Sequence, residues 1–132
     1  MLPPSIAQQL RKNQPVLPAR YEQSTLMFCG VKDFTSFCAK YANDSQKIVN
    51  LLNSVFTKLD EKVNKYPEIY KVETVGDKYM AVCGLPEKVE SHTKYICKVA
   101  LDMIESCKEM ETIDGHDTVV KIIIYWIRIN FY

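Results

Sequence analysis

The stretch Lys71-Val-Glu-Thr-Val-Gly-Asp-Lys-Tyr-Met80 decides how this chain of 132 residues is read. It sets two carboxylates, Glu73 and Asp77, on either side of a short glycine-containing turn. The flanks alternate, with Tyr70, Val72 and Thr74 before the turn and Tyr79, Ala81 and Cys83 after it. Period-2 alternation around a turn predicts a β-hairpin over residues 69–83 with acid at its tip. Such a tip can hold a metal, accept hydrogen bonds from the edge of a nucleobase, or stand solvated.

Outward from the hairpin, the pattern changes period. Ile48, Leu51, Leu52, Val55, Phe56, Leu59 and Val63 recur at steps of three and four, which predicts a long helix ending before Pro67. Leu52 and Phe56 are expected to bury against a sheet. The Asn43-Asp44-Ser45 cluster offers caps for its start. A second long helix is predicted over residues 88–110, carrying Ile96, Val99, Ala100, Met103, Cys107 and Met110. Strands are predicted at residues 25–31 and 118–125, a short helix at 35–41, and turns at Gly84-Leu85-Pro86 and Asp114-Gly115. Residues 1–23 read as a polar lead in which Pro3, Pro4, Pro15 and Pro18 leave room for one short helix over residues 6–12. The order strand, helix pair, hairpin, helix, strand predicts an α+β, ferredoxin-like βαββαβ domain. Its helices should cover one face of a mainly antiparallel sheet and leave the other face available.

Composition narrows the function classes. Lysine and arginine total 17 against 16 acidic residues, with no long block of one sign, so neither nucleic acid nor an anionic membrane is the expected partner. No charged-then-apolar signal pattern opens the chain. Five cysteines, none in a Cys-x-x-Cys pair, read as reduced thiols of a cytoplasmic protein. His92 and His116 lack ligand-like spacing and read as a helix-surface and a turn residue.

A second segment adds to the hairpin. Leu26-Met-Phe-Cys-Gly-Val-Lys-Asp-Phe-Thr35 is an apolar strand running into a Phe-Thr helix start. Together with Val72–Met80, and with Leu2-Pro-Pro-Ser-Ile-Ala7, Lys47-Ile-Val-Asn-Leu-Leu-Asn53, Gly84-Leu-Pro86 and Ala100-Leu-Asp-Met103 in order, it resembles the catalytic domain of class III nucleotide cyclases. Within that family the likeness is to the beta subunit of soluble guanylate cyclase, and it spans residues 1 to about 122.

The resemblance implies a chemistry. A cyclase attacks the α-phosphate of its nucleotide with the ribose 3′-oxygen and expels pyrophosphate, with two divalent cations bridged by carboxylates. The family pattern Phe-Ser-Asp-Ile-Val-Gly-Phe-Thr reads here as Phe28-Cys29-Gly30-Val31-Lys32-Asp33-Phe34-Thr35, so Gly30 stands at the first metal-ligand position and Asp77 at the second. Asp33 replaces a family glycine and reads as a helix cap or a displaced ligand, with Lys32 available to neutralise it. Glu73 matches the base-selecting position: guanine offers two adjacent donors, N1–H and the 2-amino group, which one carboxylate accepts together. Without that role it is a surface carboxylate paired with Lys71 or Lys78.

These correspondences imply a guanylate cyclase beta-type catalytic subunit that turns GTP into cyclic GMP in a heterodimer with an alpha-type subunit. Mg²⁺ or Mn²⁺ would be held mainly by the partner, and no haem site is expected within these residues. Residues 24–122 read as a partial catalytic domain whose carboxy-terminal part, with the family's guanine-contacting Cys and its Asn and Arg, is missing. Residues 123–132 read as a divergent apolar tail, either an elongated last strand or a foreign end. It is too short to span a bilayer, which takes about 20 residues. The alternative function is a non-catalytic subunit that occupies an alpha-type partner and blocks it.

Overall fold

The computed structural model describes residues 4–16, 21–110 and 118–129. Helix α1 (Pro4–Arg11) precedes strand β1 (Tyr21–Val31), helices α2 (Phe34–Lys40) and α3 (Ser45–Val63), and the hairpin strands β2 (Ile69–Val75) and β3 (Lys78–Cys83). Helix α4 (His92–Lys108) and strand β4 (Val120–Ile129) follow. The strands form one antiparallel sheet in the order β2-β3-β1-β4. This is the expected ferredoxin-like α+β arrangement, with β1 paired on both sides. The Asp114-Gly115 turn and His116 lie outside the described residues.

The helices cover one face. Met27 and Cys29 of β1 and Tyr79, Ala81 and Cys83 of β3 point inward and join one core with Leu51, Val55 and Leu59 of α3 and Ile96, Val99 and Met103 of α4. The α3 stripe is rotated from the expected one: Leu51, Val55, Leu59 and Val63 are buried, while Leu52 and Phe56 are half-buried at its flank. Seven apolar positions span more of the helix circumference than the sheet can cover, and the i, i+4 row at its centre takes the core. Phe56 still reaches the core edge, its ring 6.1 Å from that of Tyr79. Asp44 caps α3 as its position suggested, its side chain accepting from the Lys47 N–H at 3.4 Å.

Two further readings, one of a single residue and one of a strand's extent, are corrected. His92 is not on the helix surface but 5% exposed, because the first turn of α4 leans onto β1. There its Nδ1 lies 2.7 Å from the hydroxyl of fully buried Thr25, which also meets the Thr93 hydroxyl at 2.9 Å. A buried imidazole is tolerated because these hydroxyls partner it. The last strand, expected to end at residue 125, continues to Ile129 and pairs with β1 from Val31↔Val120 to Tyr21↔Ile129. Residues 123–129 are thus sheet, continuous with what precedes them.

The cysteines are free thiols. Burial raises Cys29 to about 12 and Cys83 to about 11, and it raises Cys107 as well. A thiol raised this far holds almost no nucleophilic thiolate at neutral pH. A disulfide reagent at pH 8 should therefore label exposed Cys97 first and half-buried Cys38 more slowly, with Cys29, Cys83 and Cys107 reacting only after denaturation. Stability gives a second check. Leu59→Ala should cost about 2–5 kcal/mol in denaturant unfolding, and Leu52→Ala clearly less. Equal losses would return the core face to Leu52.

Candidate functional site

The hairpin tip is built by its glycine. Val75 pairs with Lys78, leaving Gly76 and Asp77 as a two-residue loop in which Gly76 takes φ 57°. Positive φ at the first loop position matches the right-handed twist of the flanking strands, and glycine adopts it without Cβ strain.

One bulge then decides where Glu73 goes. Lys71 pairs with Ala81 but Glu73 pairs with Met80, so Val72 is an extra residue in β2. Strict alternation from Lys71 would set Glu73 opposite Tyr79, on the helix-covered face. With the bulge it shares the open face with Met80, and through Met80 with Phe28.

Lys71 stays on the helix side. Its Nζ donates to Asp60 of α3 at 2.6 and 2.8 Å, and it sits 4.9 Å from the centroid of the Tyr79 ring. Tyr79 donates its hydroxyl to the same carboxylate at 2.7 Å. Burial, then that bond to Asp60, holds the Tyr79 phenol well above its usual range, so it remains a donor. Asp60 therefore ties α3 to both hairpin strands. Lys78 is also engaged, pairing with Asp77 at 2.5 Å. Both lysines offered as partners for Glu73 are thus held by other acids, and Glu73 stands exposed without an ion pair among the described residues.

Gly30 lies beneath the tip. It pairs with Lys78 on one side and Lys121 on the other, a row of cation, glycine, cation across three strands. A Cβ at Gly30 would lie 3.1 Å from an Asp77 carboxylate oxygen and 2.8 Å from the Lys78 ammonium. The position expected to lack a ligand does face Asp77, and an ammonium fills the space between them. Asp33 takes the N-cap position of α2 in the left-handed region, φ 56°, without a side-chain cap bond. That backbone explains a glycine there in the family pattern, since aspartate is among the few other residues that tolerate it. No ion pair joins Lys32 to Asp33 among the described residues.

Gly30, Lys32, Asp33, Lys78, Lys121 and Tyr125 line an open cavity of about 760 Å³. Phe28 and Tyr125 meet edge to face on its wall, 6.0 Å apart. No group of three metal-binding side chains occurs among the described residues. A divalent pair needs bridging carboxylates, and here one carboxylate already carries an ammonium with a second lysine across the glycine. These residues do not fit a metal pair. Lys121 and Asp60 escaped the sequence reading because only strand pairing and helix packing bring them to the site.

Residues 16–125 match the family model described as the adenylate and guanylate cyclase catalytic domain. The chain belongs to that family. It is 39% identical over 123 residues to the soluble guanylate cyclase subunit beta-2 of Rattus norvegicus, which covers 92% of this chain and 18% of that protein. It is 42% identical over 109 residues to the speract receptor of Strongylocentrotus purpuratus, covering 82% of this chain and 9% of that one. The chain thus spans less than a fifth of these curated relatives. Among solved structures, the dimeric guanylyl cyclase domain of the RhoGC fusion protein from Blastocladiella emersonii superposes with TM-score 0.72 at 29% identity. That match covers 83% of this chain and 60% of the other. A bacterial light-regulated adenylyl cyclase shares the fold, with TM-score 0.69 at 16% identity. No helix among the described residues is long and apolar enough to cross a membrane.

The lysine row generates a test. Gly30→Asp should fold, because the nearest clash is the mobile end of Lys78, but it should bind Mn²⁺ poorly while that ammonium remains. Gly30→Asp with Lys78→Ala should bind Mn²⁺ markedly more tightly in a titration followed by electron paramagnetic resonance. Tight binding by the single variant would mean that Lys78 does not block the site.

Proposed function

We propose that this chain is a beta-type guanylate cyclase catalytic subunit that supplies the guanine-recognition half of an active site completed by an alpha-type subunit. The observation that carries this reading is Glu73: the Val72 bulge places it on the open face, and both neighbouring lysines are engaged elsewhere. A free carboxylate accepts the paired guanine donors N1–H and 2-NH₂, whereas adenine presents an acceptor at N1 and is repelled. The reaction of the heterodimer is attack by the GTP 3′-oxygen on the α-phosphorus. The bond to the β-phosphate oxygen breaks, leaving cyclic GMP and pyrophosphate for cyclic-nucleotide signalling in the cytoplasm. Mg²⁺ or Mn²⁺, held by carboxylates of the alpha-type subunit, supplies the phosphate-neutralising chemistry there. In this chain Asp77 is the remnant of the corresponding position, and Lys78 neutralises it.

A second reading has its own observation. Gly30 and its two lysines disable one half-site, and residues 123–129 form an apolar strand where the family pattern continues differently. A chain of this kind would occupy an alpha-type partner and block productive pairing. Adding the purified chain to a complete alpha-type cyclase domain separates the two: cyclic GMP rises in the first case and falls in the second.

Two outcomes follow for the first reading. The chain alone, with GTP and either metal, should give no cyclic GMP above a boiled control, since losing one transition-state-stabilising group costs about 10²–10³-fold. In a productive heterodimer, Glu73→Lys should cut the GTP-over-ATP preference by about 10²-fold or more. Unchanged selectivity would remove Glu73 from base recognition.

A further inference from the structure

The sheet has two edges of opposite character. Strand β2 is short, carries the Val72 bulge and is interrupted by Lys71 and Glu73, all features that blunt an edge against further pairing. Strand β4 has ten residues, Val120–Ile129, and its only charges are Lys121 and Arg128 near its ends. No strand lies beyond it among the described residues. Its middle is apolar and exposed on both faces: Ile123 and Tyr125 are 42% and 50% exposed on one, Ile124 and Trp126 39% and 56% on the other. A strand apolar on both faces suits the interior of a sheet, and its bare N–H and C=O groups form a template for another strand.

We infer that β4 pairs antiparallel with β4 of a second copy of this chain, joining two four-stranded sheets into one of eight strands. Three observations select this occupant. The blunted β2 edge disfavours head-to-tail β4–β2 pairing, which would leave ends open, so the self-pairing closed by a twofold axis is preferred. A twofold normal to the sheet keeps each residue on its own face, so Ile123 and Tyr125 of both copies extend one apolar surface and Ile124 and Trp126 the other. Charge then limits the register: centring on Lys121 or Arg128 would set like charges directly opposite, whereas centring on Ile124 or Tyr125 sets both cations against apolar residues. The inference rests on the strand edge and not on the role of Glu73, so either can fail alone.

The test uses the full chain of 132 residues. Light scattering during size-exclusion chromatography should show a dimer. Trp126→Lys and Ile124→Lys should each shift it to monomer with an unchanged circular dichroism spectrum, while Val75→Lys on β2 should not. With Cys38→Ser and Cys97→Ser removing the accessible thiols, single cysteines placed at 121–128 should form interchain disulfides with a maximum between 123 and 126. Monomer at every concentration overturns the inference. So does a dimer that survives both β4 lysines, a cross-linking profile without that maximum, or growth into open-ended fibres.

Discussion

Asp60 is the anchor on which the placement of the candidate site depends. Its carboxylate receives Lys71 from β2 and Tyr79 from β3, while its own backbone belongs to α3. Lys71 is fixed on the helix side of the sheet, so the extra residue at Val72 has one consequence: the next side chain, Glu73, emerges on the other side. Hydrogen bonds to a charged acceptor are stronger than neutral ones. Partial exposure of both partners reduces what the ion pair adds to stability. The network matters for register more than for total stability, because a one-residue slip would exchange the core and open faces of β2.

The same sheet determines what the open face can do. Gly30 sits between Lys78 and Lys121 in adjoining strands, and Lys78 reaches over it to Asp77. Where the family pattern has a pair of carboxylates, this chain has one, already neutralised. Two positive charges flanking a bare glycine repel a divalent cation, whereas the unpaired Glu73 a few residues away remains an acceptor. On the proposed reading the hairpin separates two tasks that an entire cyclase site must combine: the Glu73 end would receive a base edge, while at the other end the Lys78 ammonium stands beside Asp77 in place of a metal.

Most of the architecture was legible because it is written in periodicity. The three- and four-residue steps of α3, the alternation around Gly76 and the Asp44 cap all predicted elements that the structure contains. The hairpin acids and the bare Gly30 were also visible, through the resemblance they carry. What escaped was pairwise. The Val72 bulge, the lysine row and the Asp60 anchor depend on which residue lies across from which, and a single strand does not state its partner. The buried role of His92 escaped for the same reason, since Thr25 lies far from it in sequence. Leu52 was misplaced because a wide apolar stripe does not say which of its rows meets the sheet.

The central claim is that this chain contacts the base while its partner holds the metal. Photo-cross-linking with 6-thio-GTP in the assembled heterodimer tests it most directly, because the photoreactive sulfur at C6 adjoins the N1–H edge of the guanine that Glu73 would receive. Peptide mapping should locate the label on the β2–β3 hairpin of this chain, within residues 69–83, and Mn²⁺ added with excess GTP should remove it. Label confined to the alpha-type subunit, with this hairpin unmodified, would contradict the account.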